Sequence, residues 1–171
     1  MDERERSKLF EQTVLPHLDA AYNLARWLAG NDHDAQDIAQ EACARAFRFI
    51  DGYRGGDGRS WLLAIVRNTA YSWLKKNRPA AIVTIHEDEL GEIEDQNSAA
   101  GALYSADTGA LHAALETLPV EFREALVLRE LEGLSYKEIA EVAEVPVGTV
   151  MSRLARARRQ LQTALNQKGT V

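Results

Sequence analysis

The chain has 171 residues, 46% of them hydrophobic and 27% charged, with a formal net charge of -6. That balance fits a globular protein and excludes a disordered one, and no run reaches the ~18 apolar residues of a membrane span. The charged start, Met1-Asp2-Glu3-Arg4-Glu5-Arg6, leads into no apolar signal core, so a cytoplasmic protein without membrane insertion is expected.

Apolar residues recur at helical spacing almost throughout, and no strict alternation argues for a sheet. A first helix is predicted over 7–29, with Leu9, Phe10, Val14, Leu18, Ala21, Tyr22 and Ala25 as its apolar stripe and Pro16 as a point of kinking or splitting. Gly30-Asn31 ends it, and Asp32 or Asp34 caps a second helix through about residue 50. Residues 52–58 form a glycine-rich loop, and a third helix starts at Ser60 and runs to Pro79. Periodicity then dissolves over 80–107, an acidic stretch rich in small residues that reads as a flexible linker.

Helical pattern resumes at 108–118, and Pro119 suits the first turn of the next helix, whose apolar residues are Phe122, Ala125, Leu126, Leu128 and Leu131. Gly133 suits a left-handed cap, and Ser135-Tyr136-Lys137-Glu138 is a capping box opening a short helix that ends near Ala143. The last helix starts at Pro146 and continues to about residue 166. The expected fold is all-α: two small helical domains, 1–79 and 108–171, joined by the linker 80–107.

Chemistry for catalysis is missing from this pattern. The single Cys43 excludes an internal disulfide and a multi-cysteine zinc site, and its place among alanines reads as a small half-buried residue. His17, His33, His86 and His112 lack ligand spacing, and Gly55-Gly56-Asp57-Gly58 lacks the lysine and Ser/Thr of a phosphate loop. No metal, no cofactor and no enzymatic activity are expected.

The net charge conceals an uneven distribution. Residues 81–111 carry seven acids and no Lys or Arg, whereas beyond Glu144 there is no acid, only Arg153, Arg156, Arg158, Arg159 and Lys168. Local density, not the total, sets the field that a phosphate backbone meets. A short capped helix, a tight turn and an arginine-rich second helix make a helix-turn-helix, which reads DNA from the major groove. Val150, Leu154, Ala157, Leu161 and Leu165 form the core stripe of the last helix. Ser152, Arg156 and Arg159 point away from it, and Arg153 and Arg158 flank it. Thr149 lies near the positive end of the helix dipole, where a phosphate is welcome. Glu144 occupies the turn position that glycine commonly takes, and a left-handed backbone there costs about 1 kcal/mol.

The motifs Leu118-Pro119, Arg123-Glu124-Ala125, Glu132-Gly133-Leu134-Ser135-Tyr136, Glu138-Ile139-Ala140, Gly148-Thr149-Val150-Met151-Ser152-Arg153-Leu154 and Arg156-Ala157-Arg158 resemble domain four of bacterial sigma factors of the extracytoplasmic-function group. Earlier in the chain, Asp34-Ala35-Gln36-Asp37-Ile38-Ala39-Gln40-Glu41 resembles the family's core-polymerase-binding segment. Trp61-Leu62-Leu63-Ala64-Ile65-Val66-Arg67-Asn68-Thr69-Ala70 resembles its promoter-melting helix.

The resemblance implies a promoter-specificity subunit. Asp34, Asp37, Ile38, Gln40, Glu41 and Arg45 would meet the clamp helices of the polymerase beta-prime subunit. Arg59, Trp61, Arg67, Asn68, Tyr71, Lys75 and Lys76 would capture and melt the minus-ten element, with residues 53–60 as the pocket for a flipped base. The mix of aromatics and cations on that helix suits a single strand, although Trp61 fits a core position equally well. Thr149, Met151, Ser152, Arg153, Arg156 and Arg159 would read the minus-thirty-five element. Ser152, Arg153 and Arg156 are the expected base readers, and Arg159 the phosphate contact. The polymerase beta flap and an anti-sigma factor are further implied partners, and the acidic linker is directed toward the active-site channel. Two positions depart from the family's pattern: Gly58, where an apolar or aromatic residue is usual, and Met151, where a basic one is common. Two other readings compete, a stand-alone helix-turn-helix regulator and a sigma-like decoy that binds an anti-sigma factor but no DNA.

Overall fold

A computed structural model describes residues 1–82 and 108–168, with no strand among the described residues, and the chain divides into two compact units, the first built mainly of residues 1–79 and the second mainly of the residues after the linker. Most of the expected linker, 83–107, lies outside the described residues.

In the first unit, α1 (Glu3–Thr13) opens with a reciprocal cap between Asp2 and Glu5: the Asp2 carboxylate accepts from the Glu5 N–H at 2.8 Å, and Glu5 accepts from the Asp2 N–H at 3.3 Å. The helix expected over 7–29 divides in two. A 3₁₀ turn at Leu15–His17 contains Pro16, which offers no N–H to continue the ladder, and α2 (Leu18–Ala29) starts afresh. The break resets the register, so Val14 is fully buried while Leu18, expected on the apolar stripe, is 39% exposed. Gly30 terminates α2 at a φ of 90°. The cap of α3 (Asp32–Arg48) is Asn31, not an aspartate, and its side chain accepts from the Asp34 N–H at 2.9 Å. α4 (Gly58–Asn77) begins two residues before Ser60 and is capped by Asp57.

α2, α3 and α4 pack against one another. Alanines 21, 25, 29, 35, 42, 46 and 70 are buried at these contacts and let the helices approach closely, while Leu24, Leu28, Ile38, Leu62, Leu63 and Val66 fill the remaining space. Cys43 is half-buried, as its alanine-rich surroundings imply. At Gly58 a Cβ would stand 2.8 Å from the Thr13 carbonyl oxygen and 3.1 Å from its Cγ2. Glycine there is demanded by the packing of α4 on the end of α1.

In the second unit, α5 (Thr108–Glu116) precedes α6 (Val120–Leu126), and both pack on α8 (Val147–Lys168). The helix expected to run regularly to residue 131 instead widens into a π turn at Val127–Leu131. The extra residue in that turn rotates Leu131 off the apolar face, and it is 50% exposed. Gly133 takes a φ of 70°. The capping box forms as expected before α7 (Tyr136–Ala143): Ser135 Oγ accepts from the Glu138 N–H at 3.1 Å, and Glu138 accepts from the Ser135 N–H at 2.9 Å. Glu144 turns the chain at a φ of 57°, the left-handed conformation its position requires. On α8, Val150, Leu154, Ala157 and Leu161 are buried and Leu165 is half-buried.

Gly58→Ala should lower the chain's stability by about 1–3 kcal/mol, because the Thr13 backbone cannot yield as a side chain would. Denaturant unfolding measures it, and a variant as stable as the parent contradicts the packing described.

Candidate nucleic-acid interface

At 3.6 residues per turn, the buried side of α4 is Leu62, Leu63, Val66, Ala70 and Leu74, and the opposite side is Ala64, Asn68, Tyr71 and Lys75. Asn68, Lys75 and Lys76 are exposed, while Arg59, Trp61, Arg67 and Tyr71 are half-buried. The Arg67 guanidinium lies 4.0 Å from the centre of the Tyr71 ring and donates to Asn68 Oδ1 at 3.4 Å. The cation is thus held against an aromatic face and next to an amide. Lys76 points to a different side of the helix, toward α3.

The loop before α4 is held by contacts that the sequence did not signal. Tyr53 donates its hydroxyl to the Gly56 carbonyl at 2.6 Å and sets its ring edge-on to Trp61, 5.3 Å between centres. Gly55 and Gly56 supply φ values of 85° and 90° for the intervening bend. Asp57 accepts from the Arg59 N–H at 3.0 Å and from the Ser60 hydroxyl at 2.7 Å. The paired glycines and the aspartate ahead of a helix were the legible clues; Tyr53 as organiser carried none.

On α3, Asp37, Gln40 and Glu41 are exposed, and Arg45 is half-buried. Ile38 differs from them in burial: it is 1% exposed, because its position on α3 faces the core. Asp34 also serves the fold. Its carboxylate accepts from Arg78 Nη2 at 2.8 Å and from Asn31 Nδ2 at 2.6 Å. The same Arg78 donates to the Ala29 carbonyl at 2.7 Å and lies 5.0 Å over the Trp73 ring, so it ties the end of α4 to both α2 and α3. Arg45 pairs with Glu41 at 3.0 Å and reaches the Thr69 hydroxyl at 3.4 Å. A groove of about 350 Å³ runs between α3 and α4, bordered by Asp37, Glu41, Arg45, Trp73 and Lys76. It brings four of the α3 candidates, Asp37, Ile38, Glu41 and Arg45, beside one cation of α4.

His33, Asp34 and Asp37 each bring one possible ligand atom within 4.8 Å of the others, a grouping that chain spacing did not suggest. A cation there would compete with Arg78 for Asp34. Among the described residues, two groups have displaced ionisation. The Tyr22 hydroxyl donates to Asp32 at 2.9 Å, which raises its pKa, and burial raises that of the Cys43 thiol. Cys43 is thereby kept as the less nucleophilic thiol.

On α8, Met151 and Arg159 are exposed, and Thr149, in the first turn of the helix, and Arg156 are half-buried. Ser152 departs from expectation: it is buried, and its hydroxyl donates to the Gly148 carbonyl one turn back at 3.0 Å, which folds the short side chain onto the helix. Arg153 lies 3.4 Å from Glu121, and Arg158 lies 3.1 Å from Glu130.

Residues 13–79 match the family model for sigma-70 region 2, and residues 108–161 match that for sigma-70 region 4. The ECF RNA polymerase sigma factor SigE of Mycolicibacterium smegmatis is 39% identical over 158 residues, 91% of this chain and 61% of that protein. The chain thus spans about three fifths of that relative's length. The ECF RNA polymerase sigma-E factor of Escherichia coli K12 is 36% identical over 137 residues, 75% of this chain and 72% of that one. Among solved structures, the sigma factor RpoE of Bartonella quintana, in complex with the anti-sigma factor NepR, is similar with a TM-score of 0.71 and 29% identity, covering 92% of this chain and 96% of that one.

Replacing Arg78 with alanine removes three contacts at once and should cost about 1–3 kcal/mol of stability. Lys75→Ala, at an exposed site on the same helix, should stay within about 0.5 kcal/mol of the parent. Equal melting curves for the two variants would contradict the clamp.

Proposed function

The chain belongs to the extracytoplasmic-function group of sigma-70-type RNA polymerase sigma factors, which are transcription initiation factors, and from that membership we propose how its residues divide the work. Residues 1–79 hold core polymerase and open the promoter. Asp37, Gln40, Glu41 and Arg45 on α3 meet the clamp helices of the beta-prime subunit, with the mixed charges of the α3–α4 groove next to them. Asn68, Tyr71 and Lys75, supported by Arg67 and flanked by Arg59, Trp61 and Lys76, take up the unpaired minus-ten strand. Bases stack on the guanidinium–aromatic pair, phosphates pair with the lysines, and the Asn68 amide reads one exposed base edge.

Residues 108–171 place α8 in the major groove at the minus-thirty-five element and meet the polymerase beta flap. Thr149, Met151, Arg156 and Arg159 are the side chains at or near that surface, and arginine's fork suits both guanine and phosphate. The observation that carries the reading is the outward face of α4, where an amide, a stacked guanidinium and a lysine share one side of a helix whose other side is core.

The protein recruits a catalyst and performs no chemistry of its own. Its place is the cytoplasm, where the polymerase is; no described helix is long and apolar enough to cross a membrane. The Bartonella relative is seen with an anti-sigma factor, and a partner of that class is proposed here as well.

Reconstitution with core polymerase should yield specific runoff transcripts from genomic fragments, and Arg156→Ala should reduce them about tenfold, the scale of one bidentate base contact. Intact core binding with no transcripts would favour the decoy.

A further inference from the structure

Two of the arginines on α8 are turned back toward α6 and the π turn that follows it. Arg153 and Glu121 form an ion pair at 3.4 Å with side chains only 11% and 22% exposed. Arg158 and Glu130 form another at 3.1 Å, with side chains 12% and 14% exposed. The first arginine lies in the N-terminal part of α8 and the second more than a turn further on, so the pairs grip the helix at two heights. Arg129, on the π turn beside Glu130, lies 4.7 Å over the Tyr136 ring and donates to the Leu134 carbonyl at 2.9 Å, which links that turn to the start of α7.

We infer that Glu121 and Glu130 are positioning residues for promoter recognition: they hold Arg153 and Arg158 against α6 and its π turn, so these two arginines set the pitch of α8 and do not read bases. The inference rests on the minus-thirty-five reading above and refines it. An arginine so shielded must break its pair and expose a half-buried carboxylate before it reaches a base, and that carboxylate would then face DNA phosphates. Arg159 is exposed on the same helix and Arg156 half-buried, and which groups of α8 meet a base depends strongly on how the helix is angled.

The test uses the full chain bound to core polymerase and a promoter duplex randomised only at the minus-thirty-five element. Glu121→Gln removes no cation, yet it should lower enrichment of preferred sequences several-fold across the whole element. It should also steepen the salt dependence of binding to a fixed random-sequence duplex, by up to about 0.9 in log–log slope, as an Arg153 no longer held by Glu121 approaches a phosphate. Arg153→Gln should lower enrichment to a similar extent with no steepening, and the double variant should be no worse than either single one. Glu121→Asp should restore most of the profile. Thermal unfolding of the free chain, read without DNA, should show the same coupling as melting-point losses of a few degrees that do not add. The inference is overturned if Arg153→Gln erases preference at one base pair while Glu121→Gln keeps the parental profile. It is also overturned if the two substitutions are additive in unfolding. A parental holoenzyme that enriches no sequence removes the promoter reading itself, and the positioning role with it.

Discussion

Everything proposed for the first unit depends on the rotation of α4, and that rotation is fixed at its two ends. At the start, Gly58 lies so close to the Thr13 carbonyl that no side chain fits between them. At the finish, Arg78 joins the Ala29 carbonyl and the Asp34 carboxylate. Successive helical residues are about 100° apart, so a slip of one position would carry Asn68 most of the way toward the core edge. Contacts at the ends are well suited to prevent it, because they occupy none of the face between them. The buried leucines and alanines supply the free energy of packing, but similar apolar residues on neighbouring stripes would tolerate more than one setting.

The second unit solves the same problem by different means. The capping box starts α7, and Glu144 adopts a strained left-handed turn before α8. Such strain persists only where surrounding structure over-determines it. The recognition helix therefore emerges with its core stripe and its polar side in a set relation. Two of its arginines, Arg153 and Arg158, are shielded in ion pairs with Glu121 and Glu130 while Arg159 is exposed, and a count of basic residues alone would miss that difference.

The sequence made the local features legible. Gly133, the Ser135–Glu138 box and the Pro16 interruption each follow from chemistry within a few residues, and each is where it was expected. Features set by distant neighbours were not legible. Gly58 reads as a departure from a family pattern until its contact with Thr13, far back in the chain, is seen. A helical wheel puts Ser152 on the outer side, but it cannot register a hydroxyl that bonds back to its own helix. Arg153 and Arg158 flank the core stripe on any projection, and only the fold supplies Glu121 and Glu130. Ile38 lay within a motif defined by resemblance, and it owes its place there to the core. The family itself was readable because its motifs occur in order along both units.

The most direct measurement of the central claim is permanganate reactivity of thymines in the minus-ten element, in a holoenzyme carrying Asn68→Ala together with Lys75→Ala. Both residues are exposed, so the fold should be retained. The variant holoenzyme should still bind the duplex promoter, but its thymines should lose most of their reactivity. Reactivity equal to that of the parent would show that some other surface captures the opened strand.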